Sequence, residues 1–170
     1  MAAAAAALLL CACAERPAPL RTGADFPPLA LPRLDDNPAA EARPPGRPAL
    51  VVFWATWCPP CREEMPSLQR LSDAFPDRLA VVGVSVDDDA NLAREFLLRH
   101  GIRFPIQLDA DREQSRRLQV PGFPTAVLVG GDGRIAAVIV GGRDWATEAS
   151  MAELERLLGV TRGGGSAAPG

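Results

Sequence analysis

Lysine and tyrosine are absent from this 170-residue chain, and histidine occurs once, at His100. Without lysine no Schiff base can form on a side-chain amine, and all 18 basic side chains are arginines. Aromatic residues make up only 5% of the chain and the net charge is −3. So few rings and so slight a charge supply neither a stacking platform nor a phosphate-neutralising stripe, which argues against nucleic acid as a partner. Four cysteines and a single histidine leave little material for a metal site. What remains is an apolar fraction of 48% in a length that suits one ordinary domain with a filled core.

Met1 to Leu10 is an alanine and leucine run without a charged side chain, followed by Cys11 and Cys13. It falls short of the ~20 residues that span a bilayer, yet it suits the apolar region of an export signal. Leu10-Cys11-Ala12-Cys13 resembles the lipobox of bacterial lipoproteins, in which a small residue precedes the lipidated cysteine. Ala12 makes Cys13 the better match, since Leu10 precedes Cys11. The expectation is a leader over residues 1–12 and a tether over 13–22, placing the domain outside the cytoplasm and at a membrane. Proline and alanine dominate from Glu15 to Pro48, where Asp25 to Leu34 can supply at most a short edge strand because of Pro27, Pro28 and Pro32. Residues 159–170 end in a glycine, serine, alanine and proline tail expected to be disordered.

Between these flanks, residues 23–158 read as one domain. Leu50 to Trp54 and Leu79 to Val86 are continuous apolar runs of the kind that form strands buried on both faces. A helix is expected from Pro60 to Phe75, and another from Ala90 to His100 with Gly101 as its stop. Phe104 to Leu108 reads as a further strand and Arg112 to Leu118 as a short helix. Thr125 to Val129 and Ile135 to Val140 read as a hairpin across Gly130-Gly131-Asp132-Gly133, before a last helix from Ala146 to Leu158. This order predicts an α/β domain with a mixed sheet covered by helices on both faces and an antiparallel edge.

The chemistry concentrates where the first buried strand meets the first long helix, at Cys58-Pro59-Pro60-Cys61. That spacing puts Cys58 at the helix start, where unpaired amides and the helix dipole favour a thiolate. Cys61 follows one turn on, close enough to displace a mixed disulfide formed on Cys58. Pro59 and Pro60 have no amide hydrogen, so the thiolate must rely on the Cys61 amide and the dipole. A less acidic thiol than that of the strongly oxidising dithiol enzymes follows, and with it a reductant. A zinc half-site lacks partner ligands, and a bridge across so short a loop is a weak staple. Copper delivery would use a wider cysteine spacing with companion histidine or methionine ligands, which His100 and Met65 do not obviously provide.

Phe53-Trp54-Ala55-Thr56-Trp57-Cys58-Pro59-Pro60-Cys61-Arg62-Glu63-Glu64-Met65-Pro66 resembles the active-site segment of the TlpA/ResA-like thioredoxins. Val84-Ser85-Val86-Asp87, Phe104-Pro105-Ile106 and Val120-Pro121-Gly122-Phe123-Pro124-Thr125 recur in that family's order, so the likeness runs from Gly23 to Leu158. The resemblance implies a thioredoxin fold with a helix–strand insertion over Asp88 to Leu108, and a reductase needing no cofactor. It implies a redox disulfide between Cys58 and Cys61, and a cis bond at Phe123-Pro124. It assigns Glu64 to proton transfer with Cys61, and Trp57, Pro59, Pro60, Phe123 and Thr125 to the substrate face. Ordinary thioredoxins carry an aspartate on the strand before the motif where this chain has Val52, a departure that favours the TlpA/ResA-like group.

The family further implies protein substrates such as the haem-binding cysteines of apocytochrome c or the copper-site cysteines of cytochrome oxidase, and a membrane thiol transporter as electron donor. Two other readings stand beside it. A thiol peroxidase shares the fold but places its cysteine in a Thr-x-x-Cys turn, a spacing that Thr56-Trp57-Cys58 misses. A non-catalytic binding module would use the Trp57 and Phe123 surface and have no need of Cys58.

Overall fold

In the computed structural model, residues 19–34, 40–41 and 45–162 are described. The leader, Cys13, most of the tether and residues 163–170 lie outside them. Strands β1 (Ala30–Leu31) and β2 (Ala40–Glu41) form a small antiparallel pair. Then follow β3 (Ala49–Trp54), α1 (Pro59–Ala74), β4 (Ala80–Ser85), α2 (Ala90–His100), β5 (Ile106–Leu108), α3 (Glu113–Arg117), β6 (Thr125–Val129), β7 (Ile135–Val140) and α4 (Glu148–Leu158).

The main sheet runs β5-β4-β3-β6-β7. β3 pairs in parallel with β4, and β4 with β5, whereas β6 and β7 are antiparallel to their neighbours. This is the mixed sheet with an antiparallel edge that the pattern predicts. Residues 88–108 supply α2 and the edge strand β5, which is the helix–strand insertion.

Every residue of β3 is buried, and alternation splits them between two cores. Leu50, Val52 and Trp54 join Met65, Leu68 and Leu71 of α1, Ala93 of α2 and Leu154 of α4 on one face. Ala49, Val51 and Phe53 meet Phe26, Leu29, Leu31 and Leu118 on the other. Helices thus cover the two faces unequally. Three pack on one, and the other takes α3's C-terminal cap and the proline-rich N-terminal segment. Gly83 of β4 leaves room for the side chains of the neighbouring strands, because a Cβ there would come within 2.4 Å of Ile106 Cδ1 and 3.0 Å of Trp54 Nε1.

The segment Asp25 to Leu34 supplies the short strand expected of it, reduced to two residues. It contributes the two residues of β1 and isolated bridges from Asp25 to Arg134 and from Arg33 to Gln107. Three prolines remove the amides a longer ladder needs, while Phe26, Leu29 and Leu31 still bury their side chains. The helix ends follow local chemistry. Asp89 caps α2 by accepting from the Asn91 amide at 2.8 Å, and Gly101 closes it at φ 64°.

Candidate active site

β3 ends at Trp54, and four residues later Cys58 is the N-cap of α1, with Pro59 at the first helical position where a missing amide hydrogen costs nothing. Cys58 has extended backbone angles, φ −97° and ψ 106°, and its Sγ accepts from the Cys61 amide at 3.3 Å. The two cysteines are joined as a disulfide with Cα atoms 5.3 Å apart. Cys61 has no exposed surface, while Cys58 keeps 5%. With both intervening residues proline, the Cys61 amide is the hydrogen-bond donor that reaches Cys58 Sγ.

The turn that presents Cys58 is held from the neighbouring strand. Asp87, two residues past the end of β4, is fully buried. Its carboxylate accepts from the Thr56 amide at 3.1 Å, the Thr56 hydroxyl at 2.7 Å and the Ser85 hydroxyl at 2.7 Å. Three donors satisfy a charge that burial would otherwise penalise heavily.

Across the motif, the Phe123-Pro124 bond is cis. Phe123 meets Trp57 edge to face with ring centroids 5.9 Å apart, so this loop lies against the dithiol turn. Trp57 is 53% exposed, and the Arg112 guanidinium sits over its ring at 5.4 Å. Thr125 lies inward: it is fully buried and its hydroxyl donates to the Gly122 carbonyl at 2.7 Å, which ties the loop to itself. Pro60 borders the segment after β7, where a Cβ on Gly142 would stand 3.1 Å from its carbonyl oxygen.

Glu64 is buried, at 3% exposure, one turn after Cys61. Its Oε2 accepts from the Arg143 amide at 3.3 Å and the Trp145 indole at 3.2 Å, while its buried Oε1 has no partner among the described residues. Burial pushes the Glu64 carboxyl up to about 7, and the Arg143 amide, the Trp145 indole and the Arg143 charge oppose that rise without cancelling it. A carboxyl poised near neutrality is suited to proton exchange.

The structure therefore brings Trp57, Cys58, Pro59, Pro60, Cys61 and Glu64 together on one turn and the first part of one helix, with Phe123 and Pro124 alongside. It adds Asp87, Arg112, Arg143 and Trp145. Asp87 lies in a segment the family resemblance singled out without giving it a role. Trp145, one of only three tryptophans in the chain, is distant in sequence from the motif. Among the described residues no cluster of histidine, cysteine, aspartate or glutamate is arranged to hold a metal.

A mixed sheet whose parallel half delivers a Cys-x-x-Cys pair to a helix N-terminus, beside a cis-proline loop, defines the thioredoxin-fold thiol–disulfide oxidoreductases. The family model described as Redoxin matches residues 21–155, and the chain belongs to that family. Over 125 residues it is 31% identical to the thioredoxin-like protein YneN of Bacillus subtilis, covering 72% of this chain and 73% of YneN. It is 30% identical over 97 residues to the thiol-disulfide oxidoreductase ResA of the same organism. That match covers 56% of this chain and spans about half of ResA's length, 54%. A secreted disulfide oxidoreductase of Mycobacterium tuberculosis, homologous to DsbE of E. coli, superposes with a TM-score of 0.63 at 27% identity, covering 76% of this chain and 93% of that one.

Proposed function

We propose that this chain reduces protein disulfides outside the cytoplasm through the Cys58/Cys61 dithiol. The observation that carries the reading is the position of Cys58, an N-cap thiol whose Sγ already accepts the Cys61 amide. In the reduced protein the same amide and the helix dipole stabilise a thiolate there. The Cys58 thiolate attacks one sulfur of a substrate disulfide, and the other leaves as a thiolate. Cys61 then gives its proton to Glu64 and attacks Cys58 Sγ, forming the intramolecular disulfide and releasing the second substrate sulfur. The substrate gains two electrons and the dithiol loses them.

Glu64 supports this as a buried carboxyl with one free oxygen, beside a resolving cysteine that solvent does not reach. Trp57, Phe123 and the cis Pro124 supply a partly apolar face on which an extended substrate segment docks, with Pro59 and Pro60 as its rim. Thr125 acts from beneath by holding the loop through Gly122. The oxidised pair is re-reduced by a membrane thiol transporter, and the substrates are haem-binding cysteines of apocytochrome c or copper-site cysteines of an oxidase. A lipid on Cys13 tethers the domain. The secreted mycobacterial relative supports the extracytoplasmic setting. No helix among the described residues is long and apolar enough to cross a membrane, so a membrane position rests on the leader.

The test is the reduction potential of the Cys58/Cys61 couple in the full chain, equilibrated against a thiol buffer and followed by alkylation. A value around −270 mV supports a reductant fed from the membrane, and one around −120 mV overturns it in favour of a disulfide-forming oxidant. A pair that never titrates leaves the binding-module reading standing.

A further inference from the structure

Trp145 lies in the loop before α4, 81 residues from Glu64, and is buried against α1 at two points. Its backbone amide donates to Ser67 Oγ at 3.0 Å, and Ser67 Oγ donates onward to the Glu64 carbonyl at 2.7 Å. Its indole Nε1 donates to Glu64 Oε2 at 3.2 Å. One residue is thereby locked to the backbone and to the side chain of the same helical turn. The Arg143 guanidinium packs over the indole at 4.9 Å and closes it in.

The charged groups around Glu64 are arranged so that none neutralises it directly. From α1, Glu63 and Arg70 border the cleft of about 310 Å³ that Glu64 also lines, and from the loop after β7 come Arg143 and Asp144. Arg70 pairs with Asp144 at 3.5 Å. The Arg143 guanidinium is held by Glu153 of α4 at 2.9 Å and by Ser150 Oγ at 2.9 Å, so it acts on the Glu64 carboxyl through its charge while its backbone amide makes the hydrogen bond. Cys61, one turn earlier on α1, carries a thiol once the disulfide is reduced, as does Cys58 at the helix N-cap. Among the described residues both donors to the carboxyl go to Oε2, and the buried Oε1 has none.

We infer that Trp145 is a positioning residue for the resolving step: with the Arg143 amide it fixes the Glu64 carboxyl through Oε2 and reserves Oε1 as the oxygen that takes the Cys61 proton. The inference rests on the acid–base role of Glu64 proposed above. In the step itself the Cys61 S–H bond breaks and its proton passes to Oε1. A bond forms between Cys61 Sγ and Cys58 Sγ, and the Cys58–substrate S–S bond breaks with its electron pair on the substrate sulfur. The cleft beside Glu64 then lets solvent take the proton away. Because the indole bond favours the ionised carboxyl, its loss must move the titration of Glu64 upward.

Two measurements on the full chain test this. In ¹⁵N-labelled wild-type protein the Trp145 indole resonance is expected to titrate with a midpoint near that of Glu64, about 7, and to stop titrating in Glu64→Gln. An indole resonance indifferent to pH overturns the inference, and this readout needs no substitution at Trp145. Secondly, Trp145→Phe keeps a ring in the cavity and removes the donor. Release of the second thiol from a mixed disulfide on Cys58 should slow about fivefold near pH 7, with its pH profile moved up by about one pH unit, the size of one hydrogen bond to a charged group. Wild-type rates should return at high pH, and in the Glu64→Gln background Trp145→Phe should add nothing. If Glu64→Gln abolishes the pH dependence while Trp145→Phe leaves it in place, the Trp145 inference fails alone. If Glu64→Gln itself resolves like wild type, the acid–base role of Glu64 fails and takes the inference with it.

Discussion

Asp87 holds Thr56 by both its amide and its hydroxyl, at 3.1 and 2.7 Å, although the two residues are 31 positions apart. This buried clasp joins the end of β4 to the turn that carries Cys58, so that cysteine is positioned by the neighbouring strand as well as by its own helix. Asp87→Ala leaves the Thr56 amide and hydroxyl and the Ser85 hydroxyl without their acceptor. Denaturant unfolding should report a loss on the order of 3 kcal/mol, and turnover of a protein disulfide should fall with it. An unfolding midpoint equal to wild type would show that the clasp contributes nothing.

The two cysteines should fail in different ways. Cys58→Ser abolishes insulin reduction, because no attacking sulfur remains. Cys61→Ser retains the attack and stops at the mixed disulfide, which mass spectrometry detects as a covalent adduct that a reductant removes. Adduct formation by the Cys58→Ser protein would reverse the assignment of attacker and resolver.

Glu64 links pH to stability. Its carboxyl titrates near 7 in the folded protein, above the ordinary value of 4.5. Between those two values the folded state binds more protons than the unfolded state, so stability falls as pH rises through this window and levels off above it. The loss is on the order of 3 kcal/mol. Urea unfolding of the oxidised protein at pH 5 and pH 8 measures it, and Glu64→Gln should remove most of the difference. A wild-type protein equally stable at both pH values would refute the raised titration.

Trp57 offers its ring to solvent between Arg112 and Phe123, so in the function proposed above it docks the substrate and adds little to the stability of the fold. Trp57→Ala should leave the melting temperature within a few degrees of wild type while raising KM for a protein disulfide by roughly 3–10-fold, the equivalent of one aromatic contact. Steady-state kinetics with a protein and a small disulfide separate the two effects, since the small substrate should be less affected. Equal losses for both substrates would assign Trp57 to the chemistry of Cys58 instead of to docking.

Much of the fold is legible in the linear pattern. Leu50 to Trp54 reads as a buried strand because every residue is apolar, and Ala90 to His100 as a helix because leucine and phenylalanine repeat at its period before Gly101. Where prolines interrupt that periodicity, between Asp25 and Pro48, the reading weakens. The short ladder of β1 with β2 has too few residues to leave a signature of its own.

The site divides along the same line. Cys58, Pro59, Pro60, Cys61 and Glu64 are neighbours in sequence, and helix geometry alone sets the cysteines one turn apart with the carboxyl a turn beyond. The long-range parts carry no local signal, because a side chain's partner across the sheet is chosen by packing. In sequence nothing sets Trp145 apart from Trp54, with which it shares a core, or Asp87 from its neighbour Asp88. Their roles arise where strand order brings separate segments to one end of the sheet and burial makes an unmet hydrogen bond costly. Which atoms can do the redox chemistry follows from the linear order of residues, since two thiols and a carboxyl on one helix need only local geometry. Tertiary structure decided how they are tuned, because desolvation and donors from distant segments set the proton affinity of Glu64 and the aim of Cys58.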